Sequence, residues 1–290
     1  MKKSVALVLS SGGSTGIAHI GVIRELERHG FKITSISGSS IGSFIGGIYA
    51  MGKLSAYEEW VKKLKKKDVW GLMDLTVSAN GLLKGEKVFN KMKTFIPDVL
   101  IEKMNIPFAA VATDIINEKE IVFKSGNFYE AVRASVAIPT IFTPVKYKNT
   151  ILVDGGVLNP VPIKHVKRNE NDILVTVNLY GRKEKIEDKS INVKEKKSNS
   201  YNLNKLIKNI SRLISSGDKQ SYGYFSLLSA TTSAMIHKLA KQNIEKYKPD
   251  ILINIPSDTS NTFDFYKADK LIKIGEEAAK KEIQKFINSK

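Results

Sequence analysis

The first fifty or so residues contain one pattern two times: a short apolar run, a turn of small residues, and a segment with apolar residues at helical spacing. Residues 5–9 are apolar and lead into a Ser/Gly-rich turn at 10–16, after which residues 17–28 place apolar side chains at helical spacing. Residues 33–36, 37–40 and 41–51 repeat the same order. A recurring strand–turn–helix unit is typical of a parallel sheet with right-handed crossovers. The sequence therefore predicts an α/β fold.

Further segments of the chain fit this fold. Strands are predicted at 108–113, 121–123, 151–153, 173–177 and 251–255, and helices at 56–67, 128–136 and 268–288. The 290 residues are enough for one large core, and we predict a single domain over 1–290. The polar stretch at 181–200, rich in Lys, Glu and Asn, is predicted to be a mobile loop.

An amphipathic segment follows this polar stretch. Residues 203–214 place Leu and Ile on one helical face and Lys and Arg elsewhere. Two interpretations fit this pattern: a helix that covers the sheet, or a basic lid helix that contacts lipid.

The composition excludes several kinds of site. The chain has no Cys, which excludes disulfides, thiolate metal sites and a cysteine nucleophile. It has four His, and none is paired with another at the spacing of metal ligands. We therefore expect neither a metal nor a cofactor.

The net charge of +17 comes from Lys. Only six of the 46 basic residues are Arg, the residue that binds bases and phosphates through its fork of donors. We therefore expect no nucleic-acid partner, and interpret the Lys excess as solvated surface, with an anionic membrane as the alternative partner.

Two uncharged stretches resemble targeting segments only superficially. The apolar run near the N-terminus covers only residues 5–9, and residues 33–52 hold five Gly and five Ser. We expect no signal peptide and no transmembrane segment, and hence a cytoplasmic protein with at most peripheral contact with the membrane.

The second turn of small residues carries a motif for nucleophilic catalysis. Gly38-Ser39-Ser40-Ile41-Gly42 matches G-x-S-x-G between a predicted strand and a predicted helix. A nucleophile elbow needs this context, because the tight turn exposes the Ser oxygen and the helix N-terminus favours developing negative charge. Ser40 is therefore the candidate nucleophile.

The first turn, at 11–16, has the same strand–turn–helix geometry. Its backbone N–H groups suit an anion, but the turn lacks the Gly-Lys-Ser/Thr ending of a phosphate-binding loop. An oxyanion hole for acyl transfer accounts for both turns together.

Asp154 is the candidate base. It ends a predicted strand and precedes two Gly, so that parallel strands would bring it to the same sheet edge as Ser40. The alternatives are that Asp154 only shapes its own turn, or that His165 or His237 completes a Ser-Asp-His triad. The elbow follows a single βα unit and neither His lies in a special turn, which favours a carboxylate acting directly on Ser40.

These motifs continue in order along most of the chain, at 17–22, 38–42, 112–114, 133–139, 153–157, 159–162 and 264–265. In this order the sequence resembles the bacterial patatin-like phospholipases. The resemblance implies a three-layer α/β/α sandwich with a mostly parallel central sheet, and a Ser-Asp dyad that hydrolyses acyl esters of lipids without metal.

Residue by residue, the resemblance makes Ser40 the nucleophile and Asp154 the base. It places the oxyanion hole at Gly12, Gly13 and Ser14, with supporting glycines at Gly16, Gly38, Gly42, Gly155 and Gly156. Three positions depart from the family pattern: Ser11 stands where the first Gly of the loop is usual, Thr15 where a basic residue is usual, and Thr140 where Gly is common.

The predicted function is that of a serine-dependent lipid acyl hydrolase, either a phospholipase or lysophospholipase or a carboxylesterase. An acyltransferase that uses the same Ser with a non-water acceptor is the nearest alternative. A non-catalytic basic lipid-binding protein is a weaker one.

Overall fold

The computed structural model describes residues 3–78, 81–181 and 224–289. The strands are β1 (Lys3–Leu9), β2 (Phe31–Ser39), β3 (Leu75–Ser78), β4 (Gly81–Leu83), β5 (Phe108–Asp114), β6 (Lys119–Phe123), β7 (Val145–Tyr147), β8 (Thr150–Asp154), β9 (Ile173–Gly181) and β10 (Ile251–Pro256). The helices are α1 (Ala18–Arg28), α2 (Ile41–Ala50), α3 (Leu54–Lys63), α4 (Lys66–Gly71), α5 (Glu86–Lys93), α6 (Phe128–Ser135), α7 (Tyr224–Tyr247) and α8 (Ala268–Asn288).

The central sheet has the strand order β10-β9-β1-β2-β5-β8-β7, and β6 pairs with β5. The run from β10 to β5 is parallel throughout, whereas β6, β7 and β8 pair antiparallel with their neighbours. The predicted α/β fold with a mostly parallel sheet is confirmed.

The central strand β1 shows why the sheet is covered on both faces. Its alternate residues Val5, Leu7 and Leu9 belong to the core beneath α1, α2 and α8. The residues between them, Ala6 and Val8, pack in a second core with Ala240 of α7. Because side chains alternate across a strand, a continuous apolar run indicates a strand buried on both faces. The resulting arrangement is the predicted three-layer α/β/α sandwich.

The prediction of a single helix over 56–67 is wrong, because two helices, α3 and α4, cover this region. The backbone is extended at Leu64 and Lys65, between α3 and α4. The Asp68 carboxylate accepts the Lys65 N–H at 2.8 Å at the start of α4, which satisfies a donor in the first turn of the new helix.

The expectation that Asp154 ends a parallel strand is also wrong. Along β5, residues 108–111 pair with β2, residues 112–114 pair antiparallel with β8, and residues 110–114 pair with β6. Since a strand has two edges and β6 occupies one, β2 and β8 share the other and meet end to end. The carboxyl end of β8 therefore reaches the carboxyl end of β2 from the opposite direction.

Two predictions fall largely outside the described residues. These are the polar loop at 181–200, beyond Gly181, and the lid helix at 203–214. The single-domain organisation over 1–290 stays a prediction for the same reason. Among the helices of the described ranges, none is both long and apolar enough to cross a membrane.

Candidate active site

The turn between β2 and α2 holds Ser40 in a strained backbone conformation. Its φ of 53° lies in the left-handed region, which costs a residue other than Gly about 1–2 kcal/mol. The turn is also closely packed, since a Cβ on Gly38 would lie 2.4 Å from the Gly42 carbonyl, and one on Gly42 would lie 2.1 Å from the Leu9 oxygen. This packing keeps Ser40 at the tip of the turn, as a nucleophile elbow requires.

Ser40 forms a direct hydrogen bond with Asp154. The Ser40 hydroxyl donates to Asp154 Oδ2 at 2.5 Å, and the Gly156 N–H donates to Oδ1 at 2.7 Å. Both residues are buried, with 4% of Ser40 and 5% of Asp154 exposed. The structure thus brings together the two residues that the sequence identifies as nucleophile and base.

The environment of Asp154 disfavours its charged form. Burial raises the pKa of this carboxyl to about 7, although the hydrogen bonds from Ser40 and Gly156 act in the opposite direction. A carboxylate whose pKa lies near neutral pH is a stronger proton acceptor than an ordinary Asp and is still ionised in much of the population.

The Gly-rich turn after β1 lies against the elbow. A Cβ on Gly16 would lie 2.3 Å from the Ile41 side chain, so this position accepts only Gly without displacement of α2. Within the described ranges, the Gly12 and Gly13 N–H groups have no hydrogen-bond acceptor. The Ser14 N–H, in contrast, donates to the Thr262 carbonyl at 3.1 Å and is not free to bind an oxyanion.

The side chains of this turn hold a second loop in place. The Ser14 hydroxyl donates to the Asn261 carbonyl at 2.6 Å, and the Thr15 hydroxyl lies 2.8 Å from that of Ser260. Thr15, which stands where the family usually has a basic residue, therefore connects the turn to residues 260–262. This contact was not evident from the sequence, because 245 residues separate its partners.

An apolar pocket with about 1000 Å³ of free space, part of it open to solvent, is lined by Ser40 and Gly13. Its walls come from α2, α3, α4, α5 and the segments at 136–142 and 262–265. The aromatic and large aliphatic residues among them include Phe44, Tyr57, Trp60, Val88, Phe89, Met92, Phe142, Phe263 and Phe265. Such a pocket is suited to a hydrocarbon chain.

The histidines lie elsewhere. His165 pairs with Glu120, and the His237 ring packs on Tyr180 with centroids 4.9 Å apart. His19 is fully buried against the Ser10 carbonyl, and burial lowers its pKa to about 4. The structure therefore places a carboxylate, and no imidazole, next to Ser40. In the described part of the chain, no cluster of three or more His, Asp or Glu is arranged to hold a metal ion.

One supporting residue was not identified as such from the sequence. The Ser135 hydroxyl donates to the Val111 carbonyl at 2.6 Å and accepts the Ser40 N–H at 2.9 Å. It thereby ties the elbow to β5 and to the end of α6. Only its position within the family motif at 133–139 singled it out in the sequence.

Comparison with known proteins identifies a family and several relatives to which this chain is similar. A family model described as patatin-like phospholipase matches residues 7–167. NTE-family proteins of Mycobacterium bovis and Mycobacterium tuberculosis are each 28% identical, over 97% of this chain and 92% of their own. Lysophospholipase NTE1 of the yeast Debaryomyces hansenii is 33% identical over 61% of this chain, which is 12% of the yeast protein. The crystal structure of VipD from Legionella pneumophila aligns with 99% of this chain and 67% of its own at a TM-score of 0.48 and 14% identity.

Proposed function

Because the chain belongs to the patatin-like phospholipase family, we propose that it hydrolyses acyl esters of lipids through a Ser40–Asp154 dyad. The observation that carries the proposal is the 2.5 Å hydrogen bond between these residues, and Ser40 also lines the apolar pocket. The family and the lysophospholipase relatives support a lipid acyl hydrolase in general. The dyad is the more specific part of the proposal.

The first half of the reaction forms an acyl-enzyme. Asp154 Oδ2 takes the proton from the Ser40 hydroxyl as the oxygen attacks the ester carbonyl. The carbonyl oxygen gains negative charge, which the free N–H groups of Gly12 and Gly13 and the N-terminus of α2 stabilise. The tetrahedral intermediate then collapses, and protonated Asp154 gives its proton to the leaving alcohol.

The second half of the reaction releases the fatty acid. Asp154 takes a proton from a water molecule, which attacks the acyl carbonyl, and the same donors stabilise the second oxyanion. The proton then returns to Ser40 and restores the starting state. One carboxylate accepts and donates in alternation, which suits a group whose pKa lies near 7.

The substrate class follows from the pocket. The apolar pocket includes Ser40 in its lining, and its free space suits the hydrocarbon chain of an acyl ester whose carbonyl lies at Ser40. Lysophospholipids have one acyl chain, and the yeast relatives carry the name lysophospholipase. A long-chain lysophospholipid is therefore the first substrate to test.

Ser40→Ala tests the proposal, with Ser39→Ala as the matched control. Ser39 is the neighbouring buried serine, and its hydroxyl has no partner in the described ranges, so that its loss should cost little. We expect Ser40→Ala to abolish fluorophosphonate labelling and to lower ester turnover by at least about 10³-fold, while Ser39→Ala keeps both. Labelling of Ser40→Ala would contradict the assignment.

The same assay separates hydrolysis from acyl transfer. Glycerol or a lysolipid is added as acceptor, and the products are quantified by mass spectrometry. Free fatty acid as the main product supports the hydrolase. Transesterified product in excess over free fatty acid would assign an acyltransferase with the same nucleophile.

A further inference from the structure

One segment of the chain contributes side chains both to the wall of the apolar pocket and to the exposed surface. From the residue after α3 to the second residue after α4, the side chains of Leu64, Val69, Leu72 and Met73 line the pocket. The residues interspersed with them face solvent, among them Trp70 and the lysines at 65–67. Pocket-lining residues and solvent-exposed residues therefore alternate along the ten residues from 64 to 73.

Trp70 is the first unusual feature of this surface. It is 46% exposed, although its neighbour Val69 is buried in the pocket wall. The chain has two tryptophans, and the other, Trp60, lies inside the pocket. An indole has an apolar body and one N–H donor, which favours the boundary between water and the lipid headgroups.

The lysines around Trp70 are the second unusual feature. Within the described ranges, Lys63, Lys65, Lys66 and Lys67 form no ion pair. Lys62 differs, because it pairs with Glu58 at 2.9 Å and with Asp269 at 3.3 Å. The only acid from 62 to 73 is Asp68, so this segment has one negative charge against the four positive charges of Lys63, Lys65, Lys66 and Lys67. This surface therefore carries uncompensated positive charge.

We propose that Lys63, Lys65, Lys66, Lys67 and Trp70, here called the Trp70 rim, dock the protein on an anionic lipid bilayer. Lysine is a point charge that suits an anionic membrane surface, and Trp70 adds an interfacial anchor next to Val69 of the pocket wall. An acidic protein would satisfy the lysines but would not account for an exposed indole next to a residue of the hydrocarbon pocket's wall. The inference rests on the proposed function for the lipid nature of the substrate.

The experiment measures vesicle binding and catalysis separately. Binding is measured by co-flotation of the full chain, in the Ser40→Ala background, with vesicles of phosphatidylcholine alone or with one quarter phosphatidylglycerol. Trp70→Ala and Lys66→Glu/Lys67→Glu are compared with Lys280→Glu/Lys281→Glu, an exposed pair on α8 with the same change of charge. Hydrolysis of p-nitrophenyl butyrate, a soluble ester, is measured with Ser40 present.

We expect binding that requires phosphatidylglycerol and weakens at high salt. Each Trp70 rim variant should weaken it by about tenfold or more, and the α8 pair by less than about twofold. Butyrate hydrolysis should be unchanged in all three. With Trp60→Phe added, the emission of Trp70 should shift to the blue on vesicles, as an indole leaving water does.

Equal losses in the rim and α8 pairs would overturn the proposal, because net charge alone would then explain binding. Undiminished binding by Trp70→Ala, or equal binding to pure phosphatidylcholine, would overturn it as well. Failure of the wild type to hydrolyse butyrate or any lipid would instead reject the proposed function, and the vesicle data would still decide the docking surface.

Discussion

The Asp154 carboxyl is buried with two hydrogen-bond donors, the Ser40 hydroxyl and the Gly156 N–H. No charged group among the described residues contributes to the shift of its pKa, which burial alone drives upward to about 7. In a Ser-His-Asp triad the imidazole supplies a base with a pKa near neutral pH. Burial gives the Asp154 carboxylate a similar basicity, which supports its proposed role as the base for Ser40.

This burial has a cost in stability that depends on pH. A raised folded-state pKa means that the folded protein holds the Asp154 proton more tightly than the unfolded chain, where the value is near 3.8. Stability is therefore greatest below about pH 4 as far as this group is concerned, and it is lost as pH rises to about 7. We expect Asp154→Asn, which cannot ionise, to gain about 3 kcal/mol of unfolding free energy relative to wild type between pH 4.5 and pH 8.

Urea unfolding at a series of pH values measures this difference, and Ser40→Ala is the control. That variant keeps the carboxyl and loses a hydrogen bond that lowers its pKa, so its stability should fall with pH at least as steeply as that of wild type. Parallel stability curves for wild type and Asp154→Asn would show that the Asp154 pKa is not raised. Asp154→Asn should also lose most ester turnover.

The residue types of the site are readable from the sequence, but their partners are less so. Ser40 and Asp154 stand in glycine-flanked turns, which is a local signal. Ser14 illustrates the limit, because its amide is predicted to bind an oxyanion and instead donates to Thr262. A donor's availability depends on a loop 248 residues away, and no local pattern contains that information.

Among the elements, β5 determines how the two halves of the site meet. It extends beyond the end of β2, and β8 occupies the remaining length from the opposite direction. Ser39 pairs with Val111, and Asp154 pairs with the next residue, Ala112. The distance between the proposed nucleophile and the proposed base is therefore set by one step along a buried strand.

The apolar runs predict each of these strands, but not the direction of β8. A run such as 151–153 is equally apolar in either direction, and direction depends on the connection made by β7 and its turn. The break at Leu64 was missed for a related reason, since the pocket into which its side chain points is formed by distant elements.

Close packing of α2 against β1 leads to a prediction for Gly42. A Cβ at this position would lie 2.1 Å from the Leu9 oxygen and 2.7 Å from the Ser10 oxygen, both of them backbone atoms that cannot rotate away. We expect Gly42→Ala to displace α2, to lower the unfolding free energy by about 1–3 kcal/mol and to reduce ester turnover by at least tenfold.

Gly71→Ala is the matched control for this variant. A Cβ on Gly71, in α4, would meet nothing within 4 Å, so that the same chemical change should be neutral or slightly stabilising. Thermal unfolding and butyrate hydrolysis are measured for both. If Gly42→Ala has the stability and the turnover of Gly71→Ala, the elbow does not depend on this contact.

At the scale of the whole molecule, the net charge of +17 can be read from the sequence, whereas the apolar pocket can be seen only in the folded structure. The charge is visible in the composition. Only the fold shows that lysines without an ion-pair partner among the described residues flank Trp70 beside the pocket wall. The pocket itself is not visible in the sequence, since its lining residues run from Gly13 to Phe265. Each lining segment looks like ordinary core until the elements are assembled.

The last prediction concerns the length of the acyl chain, which is a property of the assembled pocket. Burial of each methylene contributes about 0.8 kcal/mol, or about fourfold in kcat/KM when the contact is retained in the transition state. Over p-nitrophenyl esters below their critical micelle concentration, we expect kcat/KM to rise with chain length and then to level off once the free space is filled. Val88, half-buried on α5, lines the pocket, and Val88→Phe reduces its free space. This variant should lower kcat/KM for the longest esters at least tenfold while leaving butyrate, which needs little of that space, within about twofold. Val88→Ala, which enlarges the pocket at the same position, should leave the preference for long chains in place.

A uniform loss of kcat/KM across all chain lengths in Val88→Phe would indicate damage to the fold. A flat chain-length profile in the wild type would mean that the pocket does not bind the acyl chain.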